Sequence, residues 1–271
     1  MLAETSLGGS PEAMKKVRPA VPKATYHSEV YQSVEIYQTK SRLLSWYYWG
    51  RVTTAVSMLL ERVGGLEGGR LLDLGCGSGM TLPTLQEYFE NVTATDIYTE
   101  HAAKVARLEG LGRVAVLTGD GRDLPFRDES FGVVLLMDIL EHVEGRKDRL
   151  ISECGRVLKE GGYLACSLPV EVGPVVLLRQ AGRRFFGLEG NRQGLRETME
   201  YALGGSKDDS AGTVDSRDPH DEAHRGYDYK SDLLALKKNF EEVASVRVPF
   251  RHISMLSPAH VFLGRKPPTL G

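Results

Sequence analysis

Residues 69–85, GRLLDLGCGSGMTLPTL, join a short apolar run to a glycine-rich turn. The apolar run contains the acid Asp73, and glycines then alternate at Gly75, Gly77 and Gly79. Glycine adopts backbone angles that other residues avoid, and it lets a ligand approach the main chain closely. The stretch therefore predicts a buried strand, a tight ligand-binding turn and a helix.

The spacing of the glycines limits the ligand that this turn can hold. A phosphate-binding P-loop needs Lys followed by Ser or Thr after its last glycine, and neither follows Gly79. In the dinucleotide pattern G-x-G-x-x-G the third glycine comes one residue later than Gly79 does. The spacing favours a ligand without phosphate, while the glycines alone leave a dinucleotide site or a turn without ligand open.

Apolar strands alternate with amphipathic helices on both sides of this turn. The strand-like segments are RLLDLG, NVTATDI, RVAVLTGD, FGVVLLMDIL and GGYLACSLP, followed later by VASVRVPF and HVFLGRKP. Apolar strands separated by helices indicate a parallel sheet covered on both faces. We predict an α/β fold with a doubly wound, Rossmann-like, mostly parallel seven-stranded sheet. The short polar connection between the last two strands predicts an antiparallel C-terminal edge strand.

Composition excludes several classes of protein. The formal net charge of -2 gives no basic field for nucleic acid. Cys76, Cys154 and Cys166 lie far apart, without the spacing of a zinc site or a disulfide framework, so no metal is expected. The N-terminus lacks the apolar core of a signal peptide, and no apolar run reaches the roughly 18 residues of a membrane span. These features predict a cytoplasmic protein.

Two acids follow the next strands at the edge where an open α/β sheet binds its ligands. Asp96 ends the second strand, where an acid can accept hydrogen bonds from ribose hydroxyls. The alternative is that Asp96 caps the following helix. Asp120 follows the third strand, next to Gly121, and can accept a hydrogen bond from the exocyclic amine of adenine.

Five blocks in register carry a family resemblance: LLDLGCGSG, ATDI, GDGRDLPFRDESF, VVLLMDILEHV and RVLKEGGYLACSLP. Together they resemble the class I S-adenosylmethionine-dependent methyltransferases, and most closely the broad subgroup typified by quinone-biosynthesis methyltransferases. The resemblance covers roughly residues 66–169. It departs from the family at Phe131-Gly132, where Phe-Asp is usual.

The resemblance implies S-adenosylmethionine as the cofactor and assigns roles to individual residues. Asp73 would serve the methionine amino end, the glycines would lie beneath the cofactor, and Asp96 would bind the ribose. Ile97, Asp120 and Gly121 would serve the adenine, and Met137 and Asp138 would flank the methionine and the sulfonium. The implied cofactor-binding set is Asp73, Gly75, Cys76, Gly77, Gly79, Asp96, Ile97, Asp120, Gly121 and Met137.

The catalytic and acceptor residues are less defined. His142 and Asp138, in DILEH, are the catalytic candidates. Histidine suits proton transfer because its reference pKa is about 6.5, but a structural or cofactor-proximal role is the alternative. The acceptor candidates are Tyr47 and Trp49 in WYYWGR, with Arg51 nearby, and His224 and Tyr227 in HRGYDY. For these residues the alternatives are core packing and a solvated loop.

The predicted organisation is a mobile tail (1–24) and one methyltransferase domain (25–271). This domain comprises N-terminal cap helices (25–65), the cofactor-binding core (66–169), a helical and flexible insert (170–226), and a C-terminal helix with edge strands (227–271). In the insert, VVLLRQAGRRFFG mixes apolar residues with arginines. This pattern predicts either a helix that caps the active site or one that makes weak contact with a membrane surface.

The resemblance predicts an enzyme that transfers a methyl group to a small-molecule or lipid-like acceptor by in-line displacement. The alternatives are a nicotinamide-dependent oxidoreductase and a non-catalytic methyltransferase-like scaffold. The accepting atom and the oligomeric state stay open.

Overall fold

A computed structural model of the chain describes residues 42–63, 69–108, 110–143, 145–185, 194–205, 227–249 and 253–268. The predicted tail (1–24) and His224 lie outside the described residues. For Tyr47 the helical backbone is described but the side chain is not.

Seven helices and seven strands make up the regular structure of the described residues. In chain order they are α1 (Arg42–Val63), β1 (Arg70–Leu74), α2 (Leu82–Tyr88), β2 (Asn91–Asp96), α3 (Thr99–Val105), β3 (Val114–Thr118), β4 (Phe131–Met137), α4 (Lys147–Val157), β5 (Leu158–Pro169), α5 (Val175–Phe185), α6 (Leu195–Ala202), α7 (Tyr229–Asn239), β6 (Glu241–Val248) and β7 (Ala259–Arg265). Short 3₁₀ turns add Leu140–His142 and Ser254–Leu256.

The strands form one sheet in the order β3-β2-β1-β4-β5-β7-β6. Strands β1 to β5 pair in parallel, whereas β7 is antiparallel to both β5 and β6. The predicted seven-stranded, mostly parallel sheet with an antiparallel C-terminal pair is confirmed. The last strand lies one position in from the edge, because β7 returns between β5 and β6.

The sheet has a core on each face because adjacent residues of a strand point to opposite sides. In β4, Val133 and Leu135 pack on the face covered by α1, α2 and α3. Val134 and Leu136 pack on the other face, under α4 and α7. Residues that point to either face of the strand are therefore apolar, as the continuous apolar runs predict.

Helix α1 covers the half of the sheet formed by β5, β7 and β6. Its buried residues Val52, Val56 and Leu59 recur at three- and four-residue steps, which is the periodicity of one helix face. This packing brings the first half of the helix toward the carboxyl ends of the parallel strands.

The chain order changes direction between β1 and β4. From β1 the strands run outward through β2 to β3, and the chain then returns to place β4 on the other side of β1. Ligands of open α/β sheets bind beyond the strand ends at such a switch point. The glycine turn, which follows β1, therefore lies where a ligand is expected.

Candidate functional site

The glycine turn is fixed to the neighbouring strand by backbone hydrogen bonds. The amides of Gly75 and Cys76 donate to the carbonyl oxygen of Thr95 at 2.8 and 2.9 Å. The amide of Gly79 donates to the carbonyl oxygen of Cys76 at 2.8 Å and closes the turn. These bonds hold the turn in one shape before any ligand binds.

Asp96 is buried at the end of β2, and its carboxylate organises the turn. Its Oδ2 accepts a hydrogen bond from the amide of Gly77 at 2.8 Å, and its Oδ1 accepts one from the amide of Tyr98 at 2.9 Å. The Nδ1 atom of His101 lies 3.3 Å from Oδ1. A carboxylate offers about four acceptor positions, so capacity remains for ribose hydroxyls. The N-cap residue of helix α3 is Tyr98, whose side chain makes no capping hydrogen bond, and Asp96 contacts the amide of Tyr98 just before the helix.

Gly75 and Gly77 differ in the space around their Cβ positions, which distinguishes a glycine that packs against the protein from one that can face a ligand. A Cβ atom on Gly75 would lie 2.2 Å from Cδ1 of Ile139, whereas a Cβ atom on Gly77 would meet none of the described residues within 4 Å. Both residues have positive φ angles, 76° and 51°. Gly75 thus packs against the protein, and Gly77 borders open space.

The residues around this space fit S-adenosylmethionine. Asp96 supplies acceptors suited to a ribose diol, and the adjacent Ile97 is 52% exposed, which offers an apolar surface to an adenine ring. The turn from Gly75 to Thr81 contains neither Lys nor Arg, so it carries no cation for a phosphate. This combination suits a nucleoside without phosphate.

Asp73 lies beneath the turn as a buried acid. Its Oδ2 accepts a hydrogen bond from Oγ1 of Thr81 at 2.7 Å. The pKa of Asp73 is raised to about 6, chiefly by burial; the Thr81 hydrogen bond opposes the rise, and the negative charge of Asp96 adds to it. Asp73 is therefore ionised at neutral pH, although burial of its charge destabilises the folded protein.

The raised pKa of Asp73 makes stability depend on pH. Because the pKa of Asp73 is higher in the folded state than the ordinary value of 3.8, folding favours the protonated acid, and this group lowers the free energy of unfolding as pH rises from about 4 to about 6. Asp73→Asn mimics the protonated acid and keeps an acceptor for Thr81. We expect the variant to be more stable than the wild type by about 3 kcal/mol at pH 7 and equally stable near pH 4.

Urea unfolding of both proteins at the two pH values measures this difference. A difference in the free energy of unfolding that does not change with pH would show that Asp73 ionises normally.

Asp120 follows β3 as predicted, but its carboxylate is engaged by a residue that the sequence analysis did not assign. Arg122 donates from its amide, Nε and Nη2 to the two oxygens of Asp120 at 2.8–3.1 Å. These hydrogen bonds lower the pKa of Asp120. Gly121 lies against the core, where a Cβ atom would be 3.1 Å from Cδ1 of Leu150. Arg122 thus fixes the orientation of the acid and occupies most of its acceptor capacity.

Asp138 directly follows Met137 at the end of β4, in a strained backbone conformation. Its φ angle is 53°, which is uncommon outside glycine. Its amide donates to Oγ of Ser167 at 3.0 Å, and the same hydroxyl donates to Oδ1 at 2.5 Å. The second oxygen, Oδ2, lies 2.5 Å from Nε of Arg51. Helix α1 is therefore tied by an ion pair to the switch point of the sheet.

The 3₁₀ turn after β4 buries one titratable side chain, Glu141, and leaves the next, His142, partly exposed. Glu141 is buried, and burial followed by the charge of Asp138 raises its pKa well above the ordinary value. His142 keeps a quarter of its side chain exposed, with Nε2 3.9 Å from Oε1 of Glu141. The segment thus presents the imidazole outward and holds the acid inside.

The described acceptor candidates lie in the core. Trp49 is 3% exposed and packs with α1 on the sheet. Tyr227 is 6% exposed, and its hydroxyl donates to Oδ2 of Asp232, which also lies 3.0 Å from Nζ of Lys147. Burial raises the pKa of Tyr227. Acceptor roles for Trp49 and Tyr227 stay predictions, and each has a packing role in the structure.

Comparison with known proteins supports the resemblance. A family model described as "Methyltransferase domain" matches residues 72–166, the segment that carries the glycine turn and the ends of β1 to β4. The chain is 34% identical over 100 residues to a fatty-acid O-methyltransferase of Mycolicibacterium smegmatis, covering 36% of each protein. It is 39% identical over 106 residues to a ubiquinone biosynthesis O-methyltransferase of Xanthomonas oryzae pv. oryzae, covering 38% of this chain and 44% of the relative.

A third relative is the phosphatidylethanolamine N-methyltransferase of Cereibacter sphaeroides, 33% identical over 124 residues, covering 44% of this chain and 60% of the relative. The chain spans less than two thirds of the length of each of these relatives.

Solved structures share the fold at low identity. A SAM-dependent methyltransferase from Aquifex aeolicus superposes with a TM-score of 0.53 at 17% identity, covering 87% of this chain and 99% of that chain. The [4+2]-cyclase SpnF superposes with a TM-score of 0.52 at 19% identity, covering 92% and 99%. Such likeness shows the fold alone, and a cyclase that shares it means that the reaction must be argued from the site. Residues 72–166 thus match a methyltransferase-domain family model, in agreement with the resemblance to class I S-adenosylmethionine-dependent methyltransferases that the sequence motifs carry.

Proposed function

We propose that this protein transfers the methyl group of S-adenosylmethionine to a small-molecule or lipid-like acceptor. The observation that carries the proposal is the pairing of buried Asp96 with the amide of Gly77, whose Cβ position borders open space. This pairing provides acceptors for a ribose and close access to the main chain, without a cation for phosphate.

When bound, the cofactor supplies a methyl group that is already activated on a cationic sulfur. The chain therefore needs mainly to hold, align and shield the reactants, and such positioning supplies about 7–11 kcal/mol of a reaction barrier. We assign cofactor binding to Asp96, Gly77 and Ile97. The Arg51–Asp138 ion pair, with Oδ2 of Asp138 2.5 Å from Nε of Arg51, fixes helix α1 beside the strand ends and limits the access of water.

The class of acceptor is proposed from the relatives. Those reported above are named for a fatty acid, for ubiquinone biosynthesis and for phosphatidylethanolamine. All three names refer to lipids or lipid-like molecules, although two are O-methyltransferases and one is an N-methyltransferase. A lipid-like acceptor is accordingly the first to test.

His142 is the proposed general base for an acceptor that keeps its proton at neutral pH. It is partly exposed and follows the end of β4, next to the buried acid Glu141. We expect His142→Asn to lower kcat for a phenolic acceptor on the order of 100-fold, with the affinity for S-adenosylmethionine unchanged. For a fatty acid, whose carboxylate is already ionised, the same variant should retain its activity.

Steady-state rates with both acceptors and calorimetric titration of the cofactor measure these effects. Equal activity of His142→Asn and the wild type on a phenol would remove His142 from the reaction.

The proposal is tested by label transfer. The protein is incubated with S-adenosylmethionine labelled in the methyl group and, in turn, with a long-chain fatty acid, a prenylated phenol and phosphatidylethanolamine. We expect label in the organic phase with one of these acceptors, and much less label with the Asp96→Ala variant when the cofactor concentration is near the wild-type dissociation constant. Cofactor binding without transfer to any acceptor would favour the scaffold, and NAD-dependent oxidation would favour the oxidoreductase.

A cytoplasmic location is part of this proposal. Cys76, Cys154 and Cys166 are free and buried, as expected in a reducing compartment. Within the part of the chain that the structure describes, no helix is long and apolar enough to cross a membrane.

A further inference from the structure

Helix α6 turns its apolar side chains away from the protein. Leu195 and Leu203 are 75% and 83% exposed, and Met199 between them is also exposed. Leu195 and Met199 lie one turn apart on the same side of α6, and Leu203 follows directly after the helix ends at Ala202. The polar Thr198 is buried instead. A surface helix of a globular protein shows the opposite arrangement, with its apolar side inward.

Helix α5, which packs against α6, has a similar exposed side. Leu177 and Leu178 are exposed, whereas the neighbouring Val175 and Val176 are buried in the core. The 3₁₀ turn Ser254–Leu256 also contacts α5 and exposes Met255. We call these six exposed side chains the outer face: Leu177, Leu178, Leu195, Met199, Leu203 and Met255.

The outer face borders the end of the sheet at which the candidate site lies. Helix α5 begins shortly after β5 ends at Pro169. The amide of Val170 donates to the carbonyl oxygen of Pro258 at 2.7 Å, and the amide of Gly173 donates to that of Tyr201 at 2.8 Å. Both helices are thereby fixed beside the carboxyl ends of the strands.

Positive charge accompanies these apolar residues. The sequences of α5, VVLLRQAGRRF, and α6, LRETMEYA, contain four arginines and two glutamates; one arginine, Arg179, pairs with the buried Glu171, which leaves a balance of +1 in a chain whose net charge is -2. Arg179 is directed inward to the buried Glu171, while Arg196 is exposed beside Leu195. Apolar residues combined with arginines are the pattern of a helix that lies in the interface of an anionic membrane.

We propose that the outer face docks on an anionic lipid bilayer. The apolar side chains enter the boundary between headgroups and acyl chains, and the arginines contact the lipid phosphates. A second copy of the chain is a poorer occupant, because a two-fold interface of α5 with itself would bring the arginines of both copies together. The docking surface does not depend on the proposed methyl transfer, since vesicle binding needs neither cofactor nor acceptor.

Co-sedimentation with vesicles tests the proposal. The vesicles contain phosphatidylcholine alone or phosphatidylcholine mixed with phosphatidylglycerol. We expect the wild type to sediment with the anionic vesicles, less strongly as salt is added, and only weakly with phosphatidylcholine. The double variant Leu195→Ser/Leu203→Ser should lower the partition coefficient by about tenfold, and Arg196→Glu should lower it for the anionic vesicles only.

Leu234→Ser is the matched control, because Leu234 is a 60% exposed leucine on α7, outside the outer face; it should bind like the wild type. Thermal unfolding checks the fold of each variant, and Arg196→Glu keeps the test decisive if the double variant does not fold.

Three results would overturn the proposal: no sedimentation of the wild type, equal binding to both kinds of vesicle, or equal loss in Leu234→Ser. A dimer that the double variant dissociates, without vesicle binding, would instead assign the outer face to a second copy. Failure to bind S-adenosylmethionine would contradict the proposed function, but it would not contradict the docking proposal, because vesicle binding needs no cofactor.

Discussion

Gly75→Ala should destabilise the fold by about 2–3 kcal/mol, because two costs add at this position. The φ angle of 76° lies in the left-handed region, which side chains with a Cβ atom avoid. The new Cβ would also lie 2.2 Å from Cδ1 and 2.8 Å from Cγ1 of Ile139, so that side chain must move. Urea unfolding of the wild type and the variant measures the loss.

Gly77→Ala should separate stability from cofactor binding. Its φ angle of 51° carries a similar strain, of about 1 kcal/mol. Within the part of the chain that the structure describes, its Cβ meets no atom within 4 Å. We expect a small loss of stability and a loss of S-adenosylmethionine affinity of about tenfold or more, because the methyl group would occupy the approach of the ligand.

Gly110→Ala provides the matched control for Gly77→Ala. Gly110 has a φ angle of 81° and likewise has no described atom within 4 Å of its Cβ position, but it lies beyond helix α3 rather than in the glycine turn. This variant should lose comparable stability and bind the cofactor like the wild type. Unchanged cofactor affinity in Gly77→Ala would contradict the position assigned to the cofactor.

Asp96→Ala is the second variant with a large expected effect. It removes the acceptors proposed for the ribose and also the carboxylate that holds the amides of Gly77 and Tyr98 at 2.8 and 2.9 Å. We expect the affinity for S-adenosylmethionine to fall by about 1.5–3 kcal/mol, or roughly 10- to 150-fold. Calorimetric titration measures the change.

Asp123→Ala is the control for this substitution. Asp123 is an acid in the loop after β3, its side chain is 84% exposed, and its Oδ1 lies 3.6 Å from Nη2 of Arg149. Removing it should leave cofactor affinity unaltered, since surface pairs of this kind contribute little. Wild-type affinity in Asp96→Ala would exclude Asp96 from the cofactor site.

The fold was predictable because its determinants are local in the sequence. Apolar runs of strand length and the glycine turn after Asp73 identify the alternating strands and helices of an α/β core. The predicted strand ends also carry Asp96 and Asp138, which the structure brings to one edge of the sheet. The position of β7 between β5 and β6 was not predictable, because strand pairing at an edge depends on how the whole sheet packs.

Contacts between distant residues account for what the sequence could not reveal. Nothing near Arg51 indicates that it pairs with Asp138, and the hydroxyl of Ser167 meets the same acid only because β4 and β5 are in register. Arg122, by contrast, lies two residues from Asp120, so a local pair was a signal that sequence analysis could have used. The burial of Trp49 and Tyr227 depends on helix packing, which aromatic composition alone does not determine.

The central claim is that the glycine turn and Asp96 hold a nucleoside cofactor without phosphate. Calorimetric titration of the wild-type protein with S-adenosylmethionine and, separately, with NAD tests it most directly. We predict that S-adenosylmethionine binds and that NAD produces no saturable heat. Saturable binding of NAD with no response to S-adenosylmethionine would contradict the account.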